Sequence, residues 1–194
     1  MKRLLTVLLL TLLVGLPLAA EKYALLVGID DYQGDISPLR YCVADVEAFA
    51  QALVETAGFN PANVYLMTSQ MRGSKEPSDL KVIKRLSILS QRLQPDDTFV
   101  FYFAGHGISK EGQSFLLAVN SDSTNIDTLE LSAIPLAKVK QILLRTKAQQ
   151  LLTIIDACRN DPQAGRGEEE NLLTESFSRA IRIEGRGEEE VGRR

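Results

Sequence analysis

The sequence predicts an α/β fold, a mostly parallel β-sheet covered by helices, and three observations predict it. Apolar strand-like runs alternate with segments whose apolar residues recur at helical spacing. Two of these runs, Thr98–Ala104 and Leu151–Ile155, are continuously apolar or β-branched, as expected of strands buried on both faces. Each run leads into a residue able to do chemistry: the only histidine, His106, between Gly105 and Gly107, and Cys158 in Asp156-Ala157-Cys158-Arg159-Asn160-Asp161. If the two strands are parallel neighbours, imidazole and thiol meet at their carboxyl ends, where open α/β sheets hold their sites.

In chain order, residues 22–29 read as the first buried strand. From Tyr41 to Ala57, Val43, Val46, Phe49, Ala50, Leu53 and Val54 repeat at helical spacing, and Gly58 ends the helix. Asn63–Met67 is a short strand and Met71–Pro77 a polar loop. Ser78 is expected to cap a helix carrying Leu80, Ile83, Leu86, Leu89 and Leu93. The strand ending at His106 follows, then a short strand or hairpin at Phe115–Val119 and a polar loop at Asn120–Thr128. Pro135–Thr146 is a helix with Leu136, Val139, Ile142 and Leu143 inward, and the strand leading to Cys158 completes the alternation.

The ends have a different character. Lys2 and Arg3, the apolar stretch Leu4–Leu18, and Ala19-Ala20 make the three-part pattern of a secretory signal peptide over residues 1–20. The stretch is shorter than the roughly 20 residues a membrane span needs, and Gly15 and Pro17 interrupt it. The expected location is therefore periplasmic or secreted, with no membrane association after cleavage; an uncleaved anchor is the alternative. Residues 21–163 form the expected domain, and residues 164–194 an acidic, glycine-containing flexible tail. In that tail Gly165-Arg166-Gly167-Glu168-Glu169-Glu170 recurs at Gly185–Glu190.

Removing Lys2 and Arg3 takes Lys+Arg from 22 to 20 against 25 Asp+Glu, which gives no support for nucleic-acid binding. One histidine and two distant cysteines cannot build a structural zinc cage. A permanent disulfide is not expected, since it would consume Cys158. No phosphate-cradling glycine loop follows the first strand, which disfavours a flavodoxin-like binding protein.

Phe101-Tyr102-Phe103-Ala104-Gly105-His106-Gly107 and Asp156-Ala157-Cys158-Arg159-Asn160-Asp161 resemble the two catalytic signatures of caspase-like cysteine peptidases, nearest the bacterial metacaspase (orthocaspase) branch. The resemblance extends to Tyr23–Tyr32 and Pro38–Val46 and spans about residues 22–182, the large-subunit region. It implies a three-layer caspase-haemoglobinase-like fold with the C-terminal small-subunit region missing, that region being a candidate separate partner chain. It implies a Cys158 nucleophile, His106 as acid and base, and the backbone N–H groups of Gly107 and Cys158 as oxyanion donors.

Cys42, Asp45 and Asp156 match the acidic primary pocket of metacaspases. Peptide or protein substrates with Arg or Lys before the scissile bond are therefore expected. Asp45 also reads as a first-turn aspartate stabilised by the helix dipole. Ala104 replaces a serine common in that pocket. No cofactor is expected; calcium, used by some relatives, has no clear motif here, and no third catalytic residue is evident. The alternative is a non-enzymatic caspase-fold interaction module.

Overall fold

The computed structural model describes residues 20–158, with Cys158 described by its backbone. The leader through residue 19, the Arg159-Asn160-Asp161 part of the second signature and the tail lie outside the described residues.

Four strands form the parallel sheet in the order β2–β1–β3–β6: β1 (Lys22–Gly28), β2 (Val64–Thr68), β3 (Thr98–Lys110) and β6 (Gln150–Cys158). Side-chain alternation along these strands splits the core in two. On one face Ala24, Leu26, Val100, Tyr102 and Ala104 pack with Val46 and Leu53 of α1 (Cys42–Glu55). On the other, Leu25, Val27, Phe99, Phe101 and Phe103 pack with Val82, Leu86 and Leu89 of α2 (Asp79–Arg92) and Val139 and Ile142 of α4 (Leu136–Leu143). This is the expected three-layer α/β arrangement.

Beyond the parallel part, β3 continues and pairs antiparallel with β4 (Gln113–Leu116), which pairs with β5 (Ile134–Pro135). A third cluster (Ile36, Ile108, Phe115, Leu117, Leu129) packs this extension against α3 (Ile126–Ser132).

Several local expectations change. His106 does not follow the end of a strand but lies within β3, which runs on to Lys110 because β4 supplies partners for residues 107–110. Ser78 stands at the N-cap of α2 but its side chain makes no capping bond. Asn120 does that work from across the fold: its Oδ1 accepts the Asp79 N–H at 3.1 Å and its Nδ2 donates to Asp79 Oδ1 at 2.9 Å. The buried stripe of α2 runs Val82, Leu86 and Leu89, and Leu80, two residues before it begins, is 70% exposed. The segment Asn120–Thr128 is not all loop. Asn125 and Thr128 form a reciprocal capping box that starts α3 inside it.

Candidate active site

The site is assembled where the parallel strands end. Gly28 closes β1 directly beneath the first turn of α1. A Cβ there would stand 2.5 Å from Val46 Cγ2 and 2.6 Å from the Cys42 carbonyl oxygen, so only glycine lets the helix sit so close. Two residues on, the buried Asp30 turns its carboxylate onto that helix start: Oδ1 accepts the Cys42 N–H at 2.9 Å and Oδ2 the Val43 N–H at 3.4 Å. A carboxylate on otherwise orphaned first-turn amides also meets the positive end of the helix dipole. Asp30 thereby anchors α1, and with it Cys42 and Asp45, over the end of the sheet.

Asp45 is exposed in the first turn of α1. Asp156 is exposed on β6, in register with Ala104 of β3, which is itself in register with Gly28. Between them, on the same face, lies the buried Tyr102, set edge-on to Phe49 with ring centroids 5.3 Å apart. Burial, reinforced by the charges of Asp156, Asp45 and Cys42, pushes the Tyr102 phenol above its usual pKa. Cys42, Asp45 and Asp156 thus share one electrostatic neighbourhood with Tyr102, which the sequence did not single out. Its signal was its place two residues before Ala104, on the same face of the strand.

His106 is 7% exposed. Its backbone N–H donates to Tyr32 Oη at 2.8 Å, and the two rings lie 5.2 Å apart. Its Nε2 lies 2.8 Å from the carbonyl oxygen of Ser37. A carbonyl can only accept, so Nε2 carries the ring proton and Nδ1 the lone pair. That Nδ1 is buried and has no hydrogen-bond partner among the described residues. An imidazole whose proton is tied back to the protein and whose basic nitrogen is left open is set up to take a proton. The Ser37 carbonyl fills the orienting role for which no side chain was evident in the sequence.

Cys158 is the register partner of His106, the last pair of the β3–β6 ladder. Neighbouring strands lie about 4.8 Å apart, so the two backbones are adjacent at the carboxyl end of the sheet. The Ala104 carbonyl accepts from Ile29 and the His106 carbonyl from Leu117 at 2.9 Å. The latter bond makes Gly107–Leu116 the open pair of the antiparallel ladder. The Gly107 N–H therefore points away from β4, toward the edge of β3 that carries β6. A Cβ at Gly105 would lie 3.0 Å from Tyr32 Oη and from the Phe103 ring, tighter than ordinary contact, so glycine keeps both neighbours where they are. Among the described residues, no cluster of three or more His, Cys, Asp or Glu side chains is arranged to hold a metal.

Residues 21–190 match the family model described as the caspase domain. The chain belongs to the caspase-domain family. Its similarity to curated proteins is to metacaspases. It is 33% identical to metacaspase-1 of Yarrowia lipolytica over 90 residues, 46% of this chain and 19% of that protein. It is 33% identical to metacaspase-4 of Arabidopsis thaliana over 86 residues, 44% of this chain and 20% of that protein. Metacaspase-8 of the same plant is 28% identical over 144 residues, 72% of this chain and 37% of that protein. The chain thus spans well under half the length of these relatives. A crystal structure of a Geobacter sulfurreducens protein superposes with a TM-score of 0.56 at 18% identity, covering 71% of this chain and 50% of that one, which speaks for the shared fold. This caspase-domain chain is therefore a metacaspase-like member of a cysteine-peptidase family, with the α/β fold of that family.

Proposed function

We propose that the chain is a cysteine endopeptidase that hydrolyses peptide bonds after Arg or Lys through a His106–Cys158 dyad. The observation that carries this reading is the register of His106 with Cys158 beside an imidazole whose Nδ1 is open.

His106 Nδ1 takes the Cys158 thiol proton, since a free thiol, with a pKa of about 8.5, is mostly protonated at neutral pH. The thiolate attacks the scissile carbonyl carbon, a C–S bond forms, and the carbonyl π electrons move to oxygen. The N–H groups of Gly107 and Cys158 donate to that oxyanion. As it collapses, the C–N bond breaks and the imidazolium gives its proton to the departing amine, leaving a thioester. Water then loses a proton to Nδ1, its oxygen attacks the thioester, and the Cys158 thiolate leaves with the C–S electrons.

Basic specificity rests on Asp45 and Asp156, two carboxylates beside Tyr102 and free to meet a guanidinium or ammonium. Ala104 offers no polar contact there. Assay of matched fluorogenic peptides with Arg, Lys or Asp before the scissile bond, with the Cys158→Ala variant alongside, tests the proposal. Turnover of the Arg and Lys peptides that vanishes in the variant is expected. Preferential cleavage after Asp would remove the pocket assignment, and no turnover of any of the peptides would favour a binding module.

A further inference from the structure

Tyr32 meets His106 twice, through its hydroxyl on the backbone and its ring beside the imidazole. Tyr32 is half-buried and packs against both the core under β3 and the cluster around β4. Its loop is pinned on both sides. The Asp30 and Asp31 N–H groups donate to Ser69 Oγ at 3.1 and 3.3 Å, Gln33 N–H to the Val119 carbonyl at 2.7 Å, and Leu39 N–H to the Asp30 carbonyl at 2.8 Å. From this fixed base the phenol reaches β3, accepts the His106 N–H at 2.8 Å, and lays its ring 5.2 Å from the imidazole. Five residues further along the same loop, the Ser37 carbonyl takes the Nε2 proton. Gly105 leaves the room for this approach, since a Cβ there would press on Tyr32 Oη at 3.0 Å.

We infer that Tyr32 is a positioning residue for His106: it fixes the backbone and one ring face so that Nε2 reaches Ser37 and Nδ1 stays open. The loop 29–39 is then one clamp with two jaws, a phenol on the backbone and a carbonyl on the ring. The Ser37 bond holds the ring's outer nitrogen, while Tyr32 holds the backbone from which the ring hangs and lies beside the ring itself. The inference deepens the peptidase reading and rests on it for its catalytic consequence, but the placement of the ring can be read without activity.

Because His106 is the only histidine, its imidazole nitrogens give one set of NMR signals in the full chain labelled with 15N-histidine. At about pH 8, where a free imidazole is neutral, the wild type should show one tautomer, with the proton on Nε2. Tyr32→Phe keeps the ring and loses the hydroxyl; Tyr32→Ala loses both. Partial tautomer mixing in Tyr32→Phe and fuller mixing in Tyr32→Ala are expected, with circular dichroism unchanged in Tyr32→Phe.

The second reading is alkylation of Cys158 by a peptidyl-arginine thiol probe. Its maximal rate should fall roughly three- to tenfold in Tyr32→Phe, as befits loss of one hydrogen bond, while the half-saturating concentration stays put. A folded Tyr32→Phe with the wild-type tautomer and labelling rate would overturn the inference, and if Tyr32→Ala fails to fold, Tyr32→Phe alone decides. If the wild type is never labelled but the tautomer shifts in Tyr32→Phe, the positioning stands and the peptidase reading falls.

Discussion

The imidazole of His106 shows how much one residue's chemistry depends on neighbours far away in sequence. Ser37 lies 69 positions away, yet its carbonyl decides which nitrogen carries the proton, and Tyr32, 74 positions away, holds the backbone beneath the ring. The sequence made His106 and Cys158 legible as a pair, because each follows an apolar strand run. It could not reveal Ser37, whose contribution is a backbone carbonyl that any residue type possesses.

Two further residues carry predictions at this scale. Gly28→Ala forces a Cβ against the Cys42 carbonyl and Val46, and should cost about 1–3 kcal/mol in urea unfolding. Tyr102 bears on alkaline stability. Its folded pKa is raised, so below its usual value near 10.0 neither state ionises it and nothing is lost. Above that pH the unfolded chain releases the proton first and folding weakens until the folded phenol titrates too. Urea midpoints should therefore fall less steeply above pH 10 in Tyr102→Phe than in the wild type. Parallel curves would show that the phenol is not held neutral.

Among the elements, β3 carries the most. It is paired with β1 and β6 through its parallel half and with β4 beyond it, and Phe99, Phe101 and Phe103 are fully buried on one face. Phe101→Ala should cost about 3–5 kcal/mol in thermal or urea unfolding, whereas truncating the exposed Leu80 should change stability by less than about 0.5 kcal/mol. The apolar run made the first half of β3 plain in the sequence. Its last part, Gly107–Lys110, has no apolar run and is strand where β4 pairs with it, a tertiary cause without a local pattern. The cap of α2 has the same character. Ser78 has the right residue type, but Asn120, 41 residues from Asp79, makes the bonds. Asn120→Ala should destabilise by about 1 kcal/mol while Ser78→Ala changes little, a comparison that thermal unfolding resolves. By contrast, α3 had a readable signal, Asn125 and Thr128 at capping-box spacing, hidden within a polar stretch.

For the whole molecule, the chain order of strands matters more than any one of them. Placing β3 between β1 and β6 brings three distant segments together at the carboxyl edge: the Asp30–Asp45 region after β1, His106 on β3, and Asp156 with Cys158 on β6. Strand–helix alternation suffices to predict parallel layers, and in that topology the backbones of His106 and Cys158 stand in register. The central claim is that this register serves a catalytic pair. Mapping by mass spectrometry of the adduct left by a peptidyl-arginine thiol probe on the full chain tests it most directly, since the two cysteines, Cys42 and Cys158, report separately. Modification of Cys158 that is lost in His106→Ala is expected. Modification confined to Cys42, or labelling of Cys158 undiminished without the imidazole, would contradict it.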